Sequence, residues 1–372
     1  MKLIFVSLDN PFPPNYGGAI DIYYKIKALS NLNCEIYLHC YYSDRSPHSE
    51  LEQFCKEVYY YPRKSIIKTL ISFNLPYLVA SRNSKELLAN LQKNDYPIFF
   101  DGLQSSVISK SPELKWRKKY LRIHNIESDY MANLSKSEKS ILRKIVFKIE
   151  CLKYLTFEKK LTHFKSIFTI SNQDKNFYQK FNKNTFEVPP FHGNQSVQSL
   201  EGSGGFILYH GNFNVSENLK AVQFLIQNIF NNLDIPVKIA GINAVKKLSP
   251  FIENRNIELI ENPSIQAMKS LVQSAHINIL PTFQSTGVKL KLLNSLFLGR
   301  HCIVNNEMIA PTPFLATLCV ICNSIEEYKR ELLILFSTPF SYKEIQRRSQ
   351  KLNDYCNNLD NANMILKKIF NE

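Results

Sequence analysis

No apolar run in the 372 residues reaches the roughly 18–20 needed to cross a bilayer. No signal-peptide pattern precedes Met1-Lys2-Leu3, so the chain is expected in the cytoplasm. The eight cysteines form no disulfide framework and sit among apolar neighbours, which points to reduced, buried thiols. Cys319-Val320-Ile321-Cys322 has a C-x2-C spacing without a second pair, too little for a zinc site. The Gly-x-Gly-x-x-Gly dinucleotide fingerprint is missing, and no nucleic-acid-binding motif is present. What remains is a globular chain with 44% hydrophobic residues, long enough for two domains.

The charge is present in one sign more than the other. The net value is +14, and residues 1–190 hold 29 Lys and Arg against 18 Asp and Glu, while residues 191–372 hold 17 against 14. Such a surplus in the first half suits an anionic partner or is simply a solvated basic face.

Strand-like and helix-like runs alternate throughout, the pattern of parallel sheets covered by helices on both faces. Strands are expected near 2–8, 34–40, 57–61, 97–101, 119–123, 166–171 and 184–188, then near 206–209, 235–240, 256–260, 276–280 and 301–305. Between the two series, Val188-Pro189-Pro190-Phe191-His192-Gly193 and the stretch ending Gly202-Ser203-Gly204-Gly205 read as a linker. The fold class is therefore α/β, with two doubly wound Rossmann-like domains. The first covers 1–190, the second 191–345, and a helix over 346–372 is expected to pack back towards the first. Ligands of such sheets bind outside the carboxyl ends of the strands, so a cleft between the domains is the expected site.

Three places carry candidate chemistry. Gly17 and Gly18 follow the first strand and open a helix, where bare backbone either turns the chain or lets a ligand approach the N–H groups. Leu121-Arg122-Ile123-His124 ends a strand in a histidine able to hydrogen-bond a ligand or move a proton. In Leu280-Pro281-Thr282-Phe283-Gln284-Ser285-Thr286-Gly287-Val288-Lys289-Leu290-Lys291, a turn opens a helix with two lysines. That arrangement makes either a diphosphate cradle or a capped helix with exposed lysines.

Four segments in this order resemble nucleotide-sugar glycosyltransferases of family 4, retaining enzymes of GT-B fold: "MKLIFVSLDNPFPPNYGGAID", "YLRIHNIESDY", "FILYHGNFNVSENLKAVQFL" and "NILPTFQSTGVKLKLLNSLFLGRHCIV". The resemblance implies transfer of a sugar from a UDP- or GDP-linked donor to a glycan or lipid-linked acceptor, in synthesis of a surface polysaccharide or other glycoconjugate. It gives His124 and Gly18 catalytic positions beside the transferred sugar. Donor binding would fall to Gly17, Gly18, Gly211, Asn212, Ile260, Asn262, Ser285, Thr286, Gly287, Lys289 and Asn294, with the loop around Glu261 meeting the base through main-chain groups. No cofactor is implied beyond the donor itself. None of the ten aspartates forms an Asp-x-Asp, so no metal-bridged diphosphate is expected.

The departures from the family are specific. Thr286 and Asn294 stand where members often carry two glutamates, and Asn212 and Glu217 where many carry an Arg and a Lys that grip the diphosphate. Lys289 and Lys291 are the nearest replacement cations. Two residues apart on a helix they diverge by about 200°, and Lys289, nearer the turn, is the expected one. A catalytically silent homologue acting as a partner or regulatory protein is the alternative.

The basic stretch 136–165 carries Arg143, Lys144, Lys148, Lys153, Lys159, Lys160 and Lys165, with Ile141, Ile145, Ile149 and Leu152 close to one helical face. That face is expected to pack on its own domain. The second reading is docking on an anionic membrane, peripherally at the inner face, where Arg63, Lys64, Lys68, Phe73 and Tyr77 would join it.

Overall fold

A computed structural model describes residues 1–65, 69, 74–138, 140–284 and 286–371. The expectations for Lys68, Phe73 and Ser285 lie outside the described residues. The chain divides into two compact units, one of Met1–Gly193, Thr286–Val288 and Cys356–Glu372, the other of Asn194–Ser285 and Lys289–Tyr355.

In the first unit the expected strands form β1 (Lys2–Ser7), β2 (Glu35–Tyr42), β3 (Glu57–Pro62), β4 (Ile98–Asp101), β5 (Lys119–Ile123), β6 (Ser166–Thr169) and β7 (Thr185–Glu187). They pair in parallel in the order β3-β2-β1-β4-β5-β6-β7. Side chains alternate across the sheet: Leu3, Phe5, Phe99 and Tyr120 enter one core, Ile4, Val6, Phe100 and Leu121 the other. Both faces are covered, so the strands read as continuous apolar runs rather than alternating ones. Chain order reverses between β1 and β4, and the carboxyl ends there are the natural place for a site.

The helices of this unit include α1 (Gly17–Asn31), α2 (Glu127–Ser137) and α3 (Ile141–Glu158). The last corrects an expectation, because Ile141, Ile145, Ile149 and Leu152 are exposed and do not pack on the domain. The helix turns another face inward, burying Glu150, Tyr154 and Glu158 with Phe147, Cys151 and Phe157 partly buried beside the second core. Its acids fix that choice. Glu158 accepts hydrogen bonds from the Glu127 N–H (2.8 Å), Ser128 Oγ (2.6 Å) and Tyr178 hydroxyl (2.7 Å), supplying the start of α2 with an acceptor from outside. Glu150 accepts from the Tyr77 N–H at 2.7 Å.

The second unit holds β8 (Ile207–Asn212), β9 (Val237–Ile242), β10 (Ile257–Glu261), β11 (Ile277–Ile279), β12 (His301–Val304) and β13 (Val320–Ile321), parallel in the order β10-β9-β8-β11-β12-β13. Its switch point is β8/β11. Helices α4 (Ser216–Asn228), α5 (Ala244–Leu248), α6 (Leu290–Leu298) and α7 (Tyr342–Cys356) surround it.

The stretch expected as a linker from its proline and glycine does contain the crossing between the units, at Gly193/Asn194, but its two ends are built into them. Val188 and Phe191 are fully buried in the first unit's core, and the His192 ring hydrogen-bonds the Cys356 carbonyl at 2.8 Å. Gly202 pairs with Phe340, and the Gly204 N–H donates to His276 Nδ1 at 3.0 Å, both inside the second unit. The boundaries lie at Gly193/Asn194 and Tyr355/Cys356, against the expected 190/191 and 345/346. The later return has a cause: α7 keeps buried Arg348 on the Gly299 carbonyl (2.7 Å) and Leu352 inside the second unit. The final helix, α8 (Asn358–Phe370), belongs to the first unit, where Ala362, Ile365, Leu366 and Ile369 share a core with Ile22, Ile26 and Leu29 of α1.

If α8 is integral to that core, Ile365→Ala should lower the unfolding free energy by about 2–5 kcal/mol, the cost of an unfilled buried site. Urea unfolding followed by circular dichroism measures it. A change under about 0.5 kcal/mol would make α8 a surface appendage.

Candidate functional site

Each unit gathers polar side chains at the carboxyl ends of its central strands. In the first, Asp101 ends β4 and His124 follows β5 directly, while Asp21 and Lys25 come from α1 and Arg122 from β5. Asp101, Lys25 and Arg122 are completely buried and Asp21 nearly so. The Lys25 ammonium lies 2.6 Å from Asp101 and 2.7 Å from Asp21. Arg122 reaches Asp21 at 3.4 Å and donates to the carbonyls of Val188 (2.6 Å), Pro189 (3.1 Å) and Thr169 (3.2 Å). Burial is the largest influence and raises both carboxyl pKa values, but it is outweighed by Lys25 acting together with Arg122 and His124 at Asp21 and with the His124 hydrogen bond at Asp101. Both acids stay ionised, below the ordinary carboxylate range.

An ionised Asp101 can only accept, which assigns the proton on the histidine. His124 Nε2 lies 2.6 Å from Asp101 Oδ1 and therefore donates to it. The other ring nitrogen, Nδ1, is the one left to meet a ligand, on a side chain that retains some exposure. Asp21, Asp101 and His124 also present three ligand atoms within 4.8 Å of one another, a donor set that could hold a divalent ion. The Lys25 ammonium already sits between the two carboxylates at hydrogen-bond distance. An ammonium, and not a metal, is the cation this pair of acids fits.

The glycine segment opens α1. Tyr16 is the N-cap and its side chain makes no capping hydrogen bond, so among the described residues no side-chain cap accepts from the first N–H groups at Gly17 and Gly18. The preceding loop is clamped by Arg45, whose guanidinium donates to the Asn10 carbonyl (2.6 Å), to Asn15 Oδ1 (2.8 Å) and to the Pro13 carbonyl, and stacks over the Tyr16 ring. Nothing near Gly17 in sequence announces a clamp supplied from beyond β2.

In the second unit Glu217, in the first turn of α4, is the centre. It accepts a hydrogen bond from the buried Thr282 hydroxyl and pairs with Lys289 at 3.5 Å. Lys291 donates to Asn218 Oδ1 at 3.0 Å and lies over the Tyr209 ring. Glu217 acts electrostatically on both lysines. The expected divergence of Lys289 and Lys291 is thereby corrected. Lys289 is the N-cap of α6 and not part of its helix, so the 100°-per-residue rule does not apply to the pair. Burial lowers the pKa of Lys289, and pushes that of Lys291 down to about 8.

The other expected donor residues have their own local partners. A Cβ on Gly211 would lie 3.1 Å from the Asn218 side chain, so its absence lets Asn218 close on β8. Asn212 spends its side chain on the Asn214 N–H at 3.0 Å. Ile260 lies in β10, and Asn262 takes a left-handed φ of 46°, with its N–H on the Gly241 carbonyl and its Oδ1 on the Asn243 N–H. Glu261 accepts from the Val245 N–H, so this pair organises the start of α5. Asn294 accepts from Asn194 at 2.8 Å. Gly287 has φ 69°, a conformation that side-chain-bearing residues rarely adopt, and follows Thr286.

No family model matches the chain. A protein described as an uncharacterized 44.6 kDa protein in the cps region of Klebsiella pneumoniae is 28% identical over 314 residues, 79% of this chain and 80% of that protein. Solved structures cover nearly all of it. Sucrose-phosphate synthase from Thermosynechococcus elongatus has a TM-score of 0.69 at 12% identity over 98% of this chain and 97% of its own. The lipopolysaccharide outer core galactosyltransferase WaaB scores 0.66 at 15% identity, covering 100% and 99%. A variant of S. aureus TarM, in complex with Fondaparinux, alpha-GlcNAc-glycerol and UDP, scores 0.70 at 8% identity over 100% of both chains. The fold is that of GT-B glycosyltransferases. Its two parallel sheets of seven and six strands are the pair of Rossmann-like units expected from the sequence.

Lys25→Met should lower the unfolding free energy at neutral pH by roughly 3–5 kcal/mol, because it strands two buried carboxylates. The folded-state pKa values of Asp21 and Asp101 are depressed. Their contribution is therefore present above the ordinary value of about 3.9 and lost as pH falls through the lower folded values. Urea titrations should show a shallower acid loss in the variant than in the wild type. A neutral-pH difference under about 1 kcal/mol would remove the ammonium from its central role.

Proposed function

We propose that the protein is a retaining glycosyltransferase of the family 4 kind, moving a sugar from a nucleotide-diphosphate donor to a glycan or lipid-linked acceptor in surface polysaccharide or glycoconjugate synthesis. The observation that carries the reading is the convergence of Lys289 and Lys291 on Glu217 at the switch point of the second GT-B sheet, where an anion is the ligand the charges favour. The relative in a cps region and the UDP bound by TarM support polysaccharide chemistry and make UDP-sugars the first donors to try.

The roles follow from the geometry. Lys291, with Lys289 beside it, offsets the diphosphate charge, which grows as the bond to the sugar breaks. The uncapped N–H groups at Gly17 and Gly18 can donate to an anionic or hydroxyl oxygen. His124, whose Nε2 is engaged by Asp101, meets a sugar hydroxyl through Nδ1. In this reading no metal takes part: the leaving diphosphate is met by ammonium groups and helix N–H groups. The alternative, a silent homologue serving as a partner protein, draws support from the Glu217–Lys289 pair, which spends part of the available positive charge internally.

Release of free nucleotide diphosphate from a panel of UDP- and GDP-sugars, with candidate acceptors, separates the two readings. Release should persist in excess EDTA, and His124→Ala should lower kcat by more than roughly tenfold while leaving nucleotide affinity within about twofold. Binding without release under any donor–acceptor pair favours the silent homologue. Activity abolished by EDTA and restored by a divalent ion refutes the metal-free mechanism.

Lys291 gives binding a pH signature. Its pKa of about 8 in the unliganded protein must rise when a diphosphate binds beside it. Affinity for UDP or GDP is then greatest below that value and declines as pH rises through it. Calorimetric titrations across this range should show the decline in the wild type and a flat profile in Lys291→Met. An unaltered profile in the variant would assign the effect to another group.

A further inference from the structure

Among the described residues, the outer face of α3 has no partner in the unit that carries it. Ile141 (76% exposed), Leu142 (77%), Ile145 (50%), Val146 (54%), Ile149 (49%) and Leu152 (65%) all face solvent. At about 100° per residue these six fall within an arc of about 140°. Lys144 and Lys148 border one edge of the arc and Lys153 lies near the other, and Lys159 and Lys160 follow the helix's end. The helix has two acids, Glu150 and Glu158, and both are buried; Glu158 is bonded inward, and Glu150 accepts from the Tyr77 N–H and pairs with Lys153 at 3.0 Å. Its charges are thus sorted, with carboxylates in the core and ammonium groups around the exposed apolar arc.

We propose that this face of α3 lies in the surface of a membrane containing anionic lipid, with the six apolar side chains among the upper acyl chains and the lysines at the headgroups. The 18-residue helix, about 27 Å long, would lie in the plane of the interface and not cross it. No described helix is long and apolar enough to cross a membrane. Charge complementarity selects this occupant. A second copy of the chain would bring two lysine-rimmed faces together, adding repulsion to a surface of the unit that already holds most of the positive excess. An anionic bilayer satisfies the apolar arc and the basic rim at once. The inference stands apart from the transfer reaction, since membrane binding needs no catalysis.

The test uses the full chain and vesicles of equal parts phosphatidylglycerol and phosphatidylcholine, with phosphatidylcholine vesicles as the neutral control. The wild type should co-sediment with the anionic vesicles and much less with the neutral ones, and added salt should release it. Ile141→Ser/Ile145→Ser/Leu152→Ser should weaken partitioning by roughly tenfold or more. Lys144→Gln/Lys148→Gln should remove most of the preference for anionic vesicles. The changes are on the surface, so both variants should melt like the wild type and retain any transfer to a soluble acceptor. A wild type that stays in the supernatant overturns the proposal, as does a triple variant that sediments like it. A wild-type dimer that the triple variant splits, with no vesicle binding, assigns the face to self-association instead.

Discussion

One ammonium group holds the first unit's polar centre in place. Lys25 places its charge between Asp101, at the end of β4, and Asp21, one turn back on its own helix. Three buried charges are tolerable only because each has a counterpart and further hydrogen bonds: Asp21 accepts from the Phe191 N–H at 2.7 Å, and Arg122 supplies the fourth charge. The consequence passes outward. A carboxylate kept ionised by Lys25 fixes the His124 tautomer, and the tautomer decides which ring nitrogen faces the open edge. The same network ties α1 to β4, to β5 and to the segment following β7. The glycine-led start of α1 and the histidine are therefore positioned by a common set of bonds.

The sheets were legible in the sequence because a doubly covered parallel strand leaves no polar alternation. Ile98–Asp101 and Lys119–Ile123 are buried at every position, and their apolar character marks them. The two-residue strand β13 is too short to show more than a strand-like run around Cys319 and Cys322. The charged centre was not legible. Asp21 and Lys25 have the spacing of an ordinary solvent-facing helix pair, and only the arrival of Asp101 and Arg122 from distant positions buries them. Apolar periodicity likewise found Ile141, Ile145, Ile149 and Leu152 but not their direction. The helix carries a second apolar stripe through Phe147, Cys151, Tyr154 and Phe157, and the buried acids beside that stripe choose it for the core. The Pro- and Gly-rich stretch marked where the chain crosses between the units, but its composition says nothing of Val188 and Phe191, which are core residues.

The two units handle charge at their strand ends in opposite ways. In the first, two carboxylates and two cations close on themselves, leaving a histidine at the partly exposed edge. In the second, Lys289 pairs with Glu217 and Lys291 bonds to the neighbouring Asn218, so two ammonium groups stand near one carboxylate. Glu217 stands where members of the family that the sequence resembles often have a lysine, and two cations lie near it from the start of α6. The neutralisation is incomplete on the count alone: one acid cannot neutralise two bases.

The placement of those bases is unfavourable for the isolated protein, and that is the strongest pointer to a ligand. Lys289 is the N-cap of α6 and Lys291 lies in its first turn, at the positive end of the helix dipole, where a cation costs roughly 0.3–1 kcal/mol. Burial lowers the pKa of both, and the charge of Lys289 adds to the strain on Lys291. Among the described residues, neither the N-cap of α4 nor that of α6 makes a side-chain capping bond. Packing alone would favour a neutral or acidic residue at either position. Each of these costs (dipole, burial, mutual repulsion, uncapped donors) is relieved by the same event, the arrival of an anion with several oxygen acceptors. A diphosphate has that charge and that number of oxygens, and the arrangement makes sense as a site whose energy is lowered when it is filled.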